Sequence, residues 1–252
     1  MNVRALVFDL DDTLFAEREF VLSGFAAADQ WLQAERQVTG FSAVAERLFG
    51  EGVRGHIFDE ALRQMGVRNE GELISQMVAV YRAHRPARLT LLPDAQWALT
   101  ALSRRYKLGL ITDGYGQTQR NKIAGLGLDS CFSLIVITDD LGREHWKPSP
   151  LAYRRVMQTL GMAGEECVYV GDNPTKDFVA ANRLGWLTVQ VRRPGSEHAG
   201  VALETLPADH RPRQVIGSLH ELVAILPSDG FTSPRDTKNM TEHGPENRLA
   251  SG

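Results

Sequence analysis

Short apolar runs alternate with segments of helical periodicity over residues 95–226, and this alternation constrains the fold more than any other feature of the sequence. Apolar runs bounded by turn residues predict buried strands, whereas apolar residues spaced by three and four predict amphipathic helices. The predicted strands are 108–112, 134–138, 168–171, 187–191 and 214–216, and the predicted helices are 95–106, 117–124, 150–160, 175–184 and 219–226. Because neighbouring parallel strands need a long crossover, the pattern predicts an α/β fold built on a doubly wound, mostly parallel sheet.

A first strand is predicted far upstream of this block. Residues 3–9 form an apolar run that ends in acid, which is typical of a buried strand whose carboxyl end carries polar side chains. The chain then shows helical periodicity up to about residue 93, without a convincing strand. The clearest helical stretches are 20–37, 57–65 and 73–81. We therefore predict a discontinuous core of residues 1–15 and 93–226, and an inserted all-helical cap at 16–92 placed as a lid over the carboxyl ends of the strands.

The overall charge excludes several classes of partner. Lys and Arg total 28 against 31 Asp and Glu, a formal net charge of −3, so no positive field is available to hold nucleic acid or an anionic membrane. The first apolar run is too short and too acidic for a signal peptide or a spanning helix. Cys131 and Cys167 are expected in buried strands, and neither belongs to a metal-binding cluster. We expect a cytoplasmic protein with no nucleic-acid or membrane partner and with a disordered tail at 227–252, where few side chains are apolar.

Two carboxylates follow the first predicted strand. Asp9 and Asp11 stand in the segment Asp9-Leu10-Asp11-Asp12-Thr13 and can face the same cleft. Carboxylates held close together either share a proton or share a hard cation. Taken alone, such a segment is more often an acidic turn that caps a helix.

Further polar residues are expected at the same edge of the sheet. Thr112 and Asp113 follow one predicted strand, Asp172 follows another, and Lys147 precedes a predicted helix. A turn of this kind offers a hydroxyl and N–H groups to phosphate oxygens, and a lysine neutralises an anion. Each feature alone is more often a strand-ending turn, a solvated lysine or a helix cap. Their coincidence with Asp9 indicates a ligand site.

In order, strand context and spacing, these segments resemble the motifs of the haloacid dehalogenase (HAD) superfamily, most of whose members are phosphohydrolases with an aspartate nucleophile. The family's DxDx[TV] motif is matched by residues 9–13, its Thr or Ser after a strand by Thr112, its KPxP form by 147–150, and its GDxxxxD motif by 171–177. The resemblance covers residues 3–226. It implies a Rossmann-like core with a helical C1 cap, as in subfamily I, which contains many sugar-phosphate and nucleotide phosphatases.

The resemblance implies a reaction centred on Asp9. This residue would attack phosphorus and form an aspartyl-phosphate. Asp11 would protonate the leaving alcohol and then deprotonate the hydrolytic water. A Mg²⁺ ion would be held by Asp9, by the backbone carbonyl of Asp11 and by Asp172.

The same resemblance assigns phosphate binding to Thr112, the backbone N–H of Asp113 and Lys147. The supporting residues that it implies are Thr13, Asn173 and Asp177. Many relatives carry Asn after the Thr of the second motif, whereas this chain has Asp113. The sequence leaves open whether that carboxylate turns away from the phosphate or alters metal binding.

Several functions share this set of residues. Asp11 argues against dehalogenation, because the dehalogenases of the superfamily lack this second Asp and a departing halide needs no proton. A phosphomutase on the same core and a catalytically silent binding protein are the alternatives, whereas a receiver-type signalling domain would lack the lid. The predicted function is Mg²⁺-dependent hydrolysis of a small phosphomonoester, either a sugar phosphate or a nucleotide-like compound. The sequence assigns no role to cationic cap side chains such as Arg54 and Arg82, and it predicts no particular oligomeric state.

Overall fold

The computed structural model describes residues 2–68 and 71–227 of the chain. Within these residues six strands form one sheet: β1 (Ala5–Phe8), β2 (Lys107–Thr112), β3 (Leu134–Ile137), β4 (Cys167–Gly171), β5 (Leu187–Val191) and β6 (Gln214–Ile216). All neighbouring pairs are parallel, in the order β3-β2-β1-β4-β5-β6. The predicted doubly wound sheet is confirmed. Because the strand order reverses at β1, the carboxyl end of β1 is where such folds bind their ligands.

In chain order, four helices follow β1 and make up the insertion. Five more helices follow them in the described part of the chain. The first four are α1 (Glu17–Arg36), α2 (Phe41–Gly50), α3 (Ile57–Gln64) and α4 (Gly71–Ala83). The others are α5 (Pro93–Leu102), α6 (Gly116–Gly125), α7 (Leu151–Leu160), α8 (Asp177–Arg183) and α9 (Leu222–Ile225). Short 3₁₀ helices occur at Thr138–Leu141, Arg143–His145, Gly164–Glu166, Leu203–Thr205, Ala208–His210 and Leu219–Glu221.

Both faces of the sheet are covered, as its apolar strands require. Along β1, Leu6 and Phe8 join one hydrophobic cluster, whereas Ala5 and Val7 join another. Since side chains alternate between the two faces of a strand, these clusters lie on opposite faces. Residues of α5, α6 and α9 pack in the first cluster, and residues of α7 and α8 pack in the second.

The four inserted helices α1–α4 enclose a hydrophobic cluster of their own. Phe25 and Phe41 are buried there with their rings nearly perpendicular, 6.3 Å apart. Phe20 packs instead with the cluster of the sheet. The chain enters and leaves the insertion side by side, because Phe15 pairs with Leu91 in an isolated antiparallel bridge. The division into a core at 1–15 and 93–226 and a cap at 16–92 stays a prediction, and the inserted helices stand where the cap was expected.

Helix α2 was not predicted from the sequence patterns. Its first N–H group, on Phe41, donates to Asp29 Oδ1 at 3.0 Å, and the Ser42 hydroxyl donates to Asp29 Oδ2 at 2.8 Å. Asp29 belongs to α1, so the group that satisfies the start of α2 comes from another helix. A capping signal of this kind does not appear in the local sequence.

One cysteine lies where the sequence placed it and the other does not. Cys167 begins β4 and is buried, as predicted. The prediction for Cys131 is wrong, because this residue is exposed in a turn and the strand begins only at Leu134. Among the described residues no helix is both long and apolar enough to cross a membrane. The tail predicted to be disordered at 227–252 lies outside the described residues except for Pro227.

Candidate active site

A buried lysine joins two carboxylates at the carboxyl ends of β1 and β4. Asp9 follows β1 directly, and its backbone N–H donates to the carbonyl of Val170 at 2.8 Å, which holds it beside β4. Lys147 Nζ lies 2.6 Å from Asp9 Oδ1 and 2.8 Å from Asp177 Oδ1, and it donates to the Tyr169 hydroxyl at 3.1 Å. Burial opposes the charge of this lysine, but Asp177 and Asp9 raise the pKa of Lys147 well above its usual value. The ammonium group is therefore a permanent charge beside Asp9.

Asp177 is held in place by the turn that precedes α8. Its second oxygen, Oδ2, accepts the backbone N–H of Asn173 at 2.9 Å. The side chain of Asn173 in turn accepts the N–H and hydroxyl of Thr175 at 2.9 and 2.7 Å. Gly171 allows this close approach, because a Cβ there would lie 2.5 Å from Asp177 Oδ2. The predicted residues Asn173 and Asp177 thus belong to one turn, which meets Lys147 through the carboxylate of Asp177.

Asp172 adds a third carboxylate that lacks a compensating partner. One oxygen of each of Asp9, Asp172 and Asp177 lies within 4.8 Å of the others. Among the described residues, the side chain of Asp172 accepts no hydrogen bond and forms no ion pair, although it is only 6% exposed. Burial, followed by the charges of nearby carboxylates, raises the pKa of Asp172 to about 9, and burial raises that of Asp9 to about 7. Clustered hard oxygen ligands with excess negative charge are a donor set that fits Mg²⁺.

A second acidic group lies at the mouth of the site and is better compensated. It consists of Asp12, Glu17 and Glu197, whose carboxylate oxygens also come within 4.8 Å of one another. Glu17 pairs with Lys122 at 3.0 Å, and Glu197 pairs with Arg54 at 3.4 Å. These two cations offset part of the charge of the group, although Lys122 is shared with Asp11.

Helix α6 engages both carboxylate oxygens of Asp11. Lys122 Nζ lies 2.6 Å from Oδ1, and Gln119 Nε2 donates to Oδ2 at 3.0 Å. The same amide also donates to the hydroxyl of Thr112 at the end of β2. Asp11 is thus separated from the cluster around Lys147 and is oriented by a different element.

Gln119 and Lys122 are not among the site residues predicted from the sequence. The burial pattern of α6 is unusual, because the helix buries a polar face rather than an apolar stripe. The buried polar residues are Thr118, Gln119, Asn121 and Lys122. Buried polar side chains on a helix need specific hydrogen-bond partners. Gln119 and Lys122 find their partners in the site, whereas Thr118 and Asn121 donate to backbone carbonyls at the end of α4 and just after it.

The Asp113 carboxylate turns towards positive charge and away from solvent. Its Oδ1 accepts the Thr138 hydroxyl at 2.8 Å and the backbone N–H of Lys147 at 3.1 Å. Its Oδ2 lies 3.2 Å from Lys176 Nζ. Burial opposes ionisation, but the two lysines hold the pKa of Asp113 below its usual value. The carboxylate is therefore ionised and positions the loop that carries Lys147.

Thr13 is the predicted site residue with the least contact to the others. It is fully buried, and its hydroxyl has no hydrogen-bond partner among the described residues. The structure thus brings Asp9, Asp172, Asp177 and Lys147 together, whereas the Thr13 hydroxyl forms no hydrogen bond with any of them.

Two adjoining cavities open above these residues. The smaller, of about 200 Å³, is lined by Asp9, Asp11, Asp172 and Lys176 among others. The larger, of about 540 Å³, lies between the inserted helices and the sheet. Asp113, Asn173 and four other residues line both cavities. The arrangement offers a small polar chamber at the carboxylates and a larger chamber next to it.

Comparison with known proteins identifies the family. The model of the haloacid dehalogenase-like hydrolases matches residues 6–191. The chain is a haloacid dehalogenase-like hydrolase. This hydrolase is 32% identical over 200 residues to the glyceraldehyde 3-phosphate phosphatase of Methanopyrus kandleri, covering 76% of this chain and 84% of the relative. It is 29% identical over 244 residues to the N-acylneuraminate-9-phosphatase of Rattus norvegicus, covering 90% and 95%.

Solved structures agree on the fold of the hydrolase. The HAD-hydrolase YfnB from Bacillus subtilis, solved with bound magnesium, superposes with a TM-score of 0.64 at 21% identity. The match covers 89% of this chain and 99% of that one. At this identity the likeness shows the fold alone. The family and the α/β fold expected from the sequence are therefore confirmed, and the named relatives are phosphatases.

Proposed function

We propose that this hydrolase is a Mg²⁺-dependent phosphatase that cleaves small phosphomonoesters through an aspartyl-phosphate on Asp9. The observation that carries the proposal is the position of Asp9 at the strand-order reversal, 2.6 Å from the buried ammonium of Lys147 and beside the uncompensated Asp172. The names of the relatives, which act on glyceraldehyde 3-phosphate and N-acylneuraminate 9-phosphate, support a small phosphorylated metabolite as substrate.

The smaller cavity is the proposed site of the phosphoryl group. Lys147, the hydroxyl of Thr112 and the backbone N–H of Asp113 bind its oxygens in this proposal. Asp9 and Asp172 would hold Mg²⁺ through their carboxylates, and Asp11 would hold it through its backbone carbonyl. When bound, the ion would supply positive charge against which the phosphate dianion could approach the Asp9 carboxylate.

The reaction has two steps, and its atoms balance. In the first, an oxygen of Asp9 bonds to phosphorus, the bond from phosphorus to the alcohol oxygen breaks, and Asp11 gives that oxygen its proton. In the second, water bonds to phosphorus, Asp11 takes a proton from the water, and the bond to Asp9 breaks to release phosphate. Asp11 is suited to exchange a proton because burial raises its pKa, although Lys122 opposes the shift.

The test is phosphate release from a panel of sugar phosphates, nucleotides and 4-nitrophenyl phosphate, with Mg²⁺ and with EDTA. We expect turnover that needs Mg²⁺ and that falls about 1,000-fold or more in Asp9→Asn, since the amide is a poor nucleophile. The matched control is Asp59→Asn, which changes a carboxyl group in α3 that lies outside the site. Folded protein that binds Mg²⁺ but releases no phosphate from any compound would contradict the proposal.

A further inference from the structure

The larger cavity is shaped for more than a three-carbon alcohol. Its volume of about 540 Å³ falls in the range of cavities that enclose drug-sized ligands. The inserted helices contribute an aromatic wall, which consists of Phe25, Phe49, Phe58 and Tyr81. Apolar side chains such as Val21, Ile57 and Val78 extend this wall. A leaving group that fills the cavity therefore needs a ring or another apolar surface.

Most charged side chains that line this cavity already have a partner of opposite charge. The pairs are Glu17 with Lys122 at 3.0 Å, Glu197 with Arg54 at 3.4 Å, and Asp113 with Lys176 at 3.2 Å. Burial lowers the pKa of His198, which favours its neutral form. Within residues 2–68 and 71–227, one lining charge is left after these pairs are set aside, and it belongs to Arg82.

Arg82 stands at the end of α4 with its guanidinium 3.5 Å from the ring centroid of Tyr115. Among the described residues it pairs with no carboxylate, in contrast to Arg54, which also donates to the carbonyls of Phe49 and Val53. A guanidinium stacked on an aromatic ring keeps the N–H groups at its edge free for a planar anion. Arg82 is thus an oriented cation with unused donors at the wall of the cavity.

From these observations we propose that the leaving group of the substrate carries a carboxylate, or a similar planar anion, that Arg82 binds through its free N–H groups. The skeleton between that anion and the phosphate ester packs on the aromatic wall. The substrate class is then a phosphomonoester of an acidic alcohol that has a ring or an extended apolar part. This inference rests on the proposed phosphatase function and deepens it.

The experiment compares two phosphate esters on the same ring, 4-carboxyphenyl phosphate and 4-methylphenyl phosphate, in each variant. Dividing the kcat/KM ratio of one variant by that of another cancels the difference in chemical reactivity between the esters. We expect the preference of the wild-type protein for the carboxylate to exceed that of Arg82→Met by about tenfold or more, the size of one charge-assisted hydrogen bond. The preference that remains in Arg82→Met should reflect the reactivity of the two esters alone, because the charge and the N–H groups are gone.

Arg143→Met is the matched control. The Arg143 guanidinium lies 4.5 Å from the centroid of the same Tyr115 ring, but among the described residues it is not part of the cavity lining. This variant should keep the wild-type preference. If Arg82→Met slows both esters equally, or if the wild-type protein favours the methyl ester, the inference is wrong and Arg82 only braces the inserted helices against Tyr115.

A further substrate tests the aromatic wall. D-3-Phosphoglycerate carries the carboxylate without a ring, so we expect its KM to exceed that of 4-carboxyphenyl phosphate. A lower KM for the three-carbon acid would overturn the part of the inference that concerns the apolar skeleton. Failure of the wild-type protein to release phosphate from any of these esters would instead count against the phosphatase function itself.

Discussion

Lys122 Nζ lies 2.6 Å from a carboxylate oxygen of Asp11, although 111 residues separate the two along the chain. The ammonium group is almost fully buried and also lies 5.1 Å from the ring centroid of Phe20. Burial of a charge is tolerated only where partners of opposite sign are fixed, and here Asp11 and Glu17 supply them. Helix α6 therefore fixes the direction of the carboxyl group that is proposed to exchange a proton with the leaving group.

Replacing Lys122 by Met should impair reactions that need a protonated leaving group. We expect kcat/KM to fall about 100-fold for an alkyl phosphate and less than about fivefold for 4-nitrophenyl phosphate, whose nitrophenolate departs without a proton. Steady-state kinetics with both esters measures the difference. Lys107→Met, at an exposed position in β2, is the control. An equal loss with both esters would show that Lys122 serves stability alone.

Mg²⁺ should stabilise the protein through Asp172. At a concentration 100 times its Kd, a bound ion adds about 2.7 kcal/mol, or roughly 5–10 °C in Tm for a chain of this size. In Asp172→Asn we expect no shift with Mg²⁺, and without the ion a Tm at or above that of the wild-type protein, because one uncompensated buried carboxylate is gone. Thermal melts with and without Mg²⁺ measure both effects.

The variant Glu197→Gln tests, in the same thermal melts, which of the two acidic groups binds Mg²⁺. Glu197 belongs to the group that includes Asp12 and Glu17, and not to the group of Asp9 and Asp172. This variant should keep the full Mg²⁺ shift. Loss of the shift in Glu197→Gln, with the shift retained in Asp172→Asn, would move the ion to the other group.

The sequence was informative about residues that directly follow strands. Asp9, Thr112 and Asp172 could be placed at one edge of the sheet, because each ends or follows an apolar run and parallel strands share that edge. The approach of Gln119 and Lys122 to Asp11 could not be predicted in this way. It depends on how α6 packs beneath the inserted helices, which is a tertiary relationship.

Local patterns also misplaced details at the ends of elements. Cys131 was expected in a buried strand, yet it lies in the turn before β3. Apolar side chains next to a strand fit either its first residues or a turn packed against the sheet, and periodicity alone does not separate the two. The role of Asp113 was open for a similar reason, since its ion pair with Lys176 joins separate loops.

Asp94 should contribute stability that depends on pH. Its carboxylate accepts two hydrogen bonds from Arg193, at 3.0 and 2.8 Å, and one each from Leu219 N and the Ser218 hydroxyl. Burial alone would raise the pKa of Asp94, but these partners hold it below its usual value. The stabilisation is therefore complete above the unfolded-state pKa of about 4 and is lost as the pH falls through the lower folded-state value.

Asp94→Asn should lower the free energy of unfolding by about 2 kcal/mol at pH 7, the usual size for hydrogen bonds to a charged group. The difference from the wild-type protein should shrink as the pH is lowered below about 4. Urea unfolding at a series of pH values measures it, with Asp129→Asn at an exposed turn as the control. A difference that stays constant with pH would show that the carboxylate charge is not what stabilises the protein.

Of the glycines in the described part of the chain, Gly164 should be the least tolerant of a side chain. It lies just before β4, where a Cβ would come 1.9 Å from the backbone carbonyl oxygen of Leu184. Since backbone cannot rotate away as a side chain does, Gly164→Ala must displace the segment after α8, and we expect a loss of about 3 kcal/mol in the free energy of unfolding. Gly200→Ala, whose Cβ would meet no atom within 4 Å, should change it by less than about 0.5 kcal/mol. Urea unfolding of both variants measures the difference in their free energies of unfolding. Equal values would contradict a close contact between Gly164 and the end of α8.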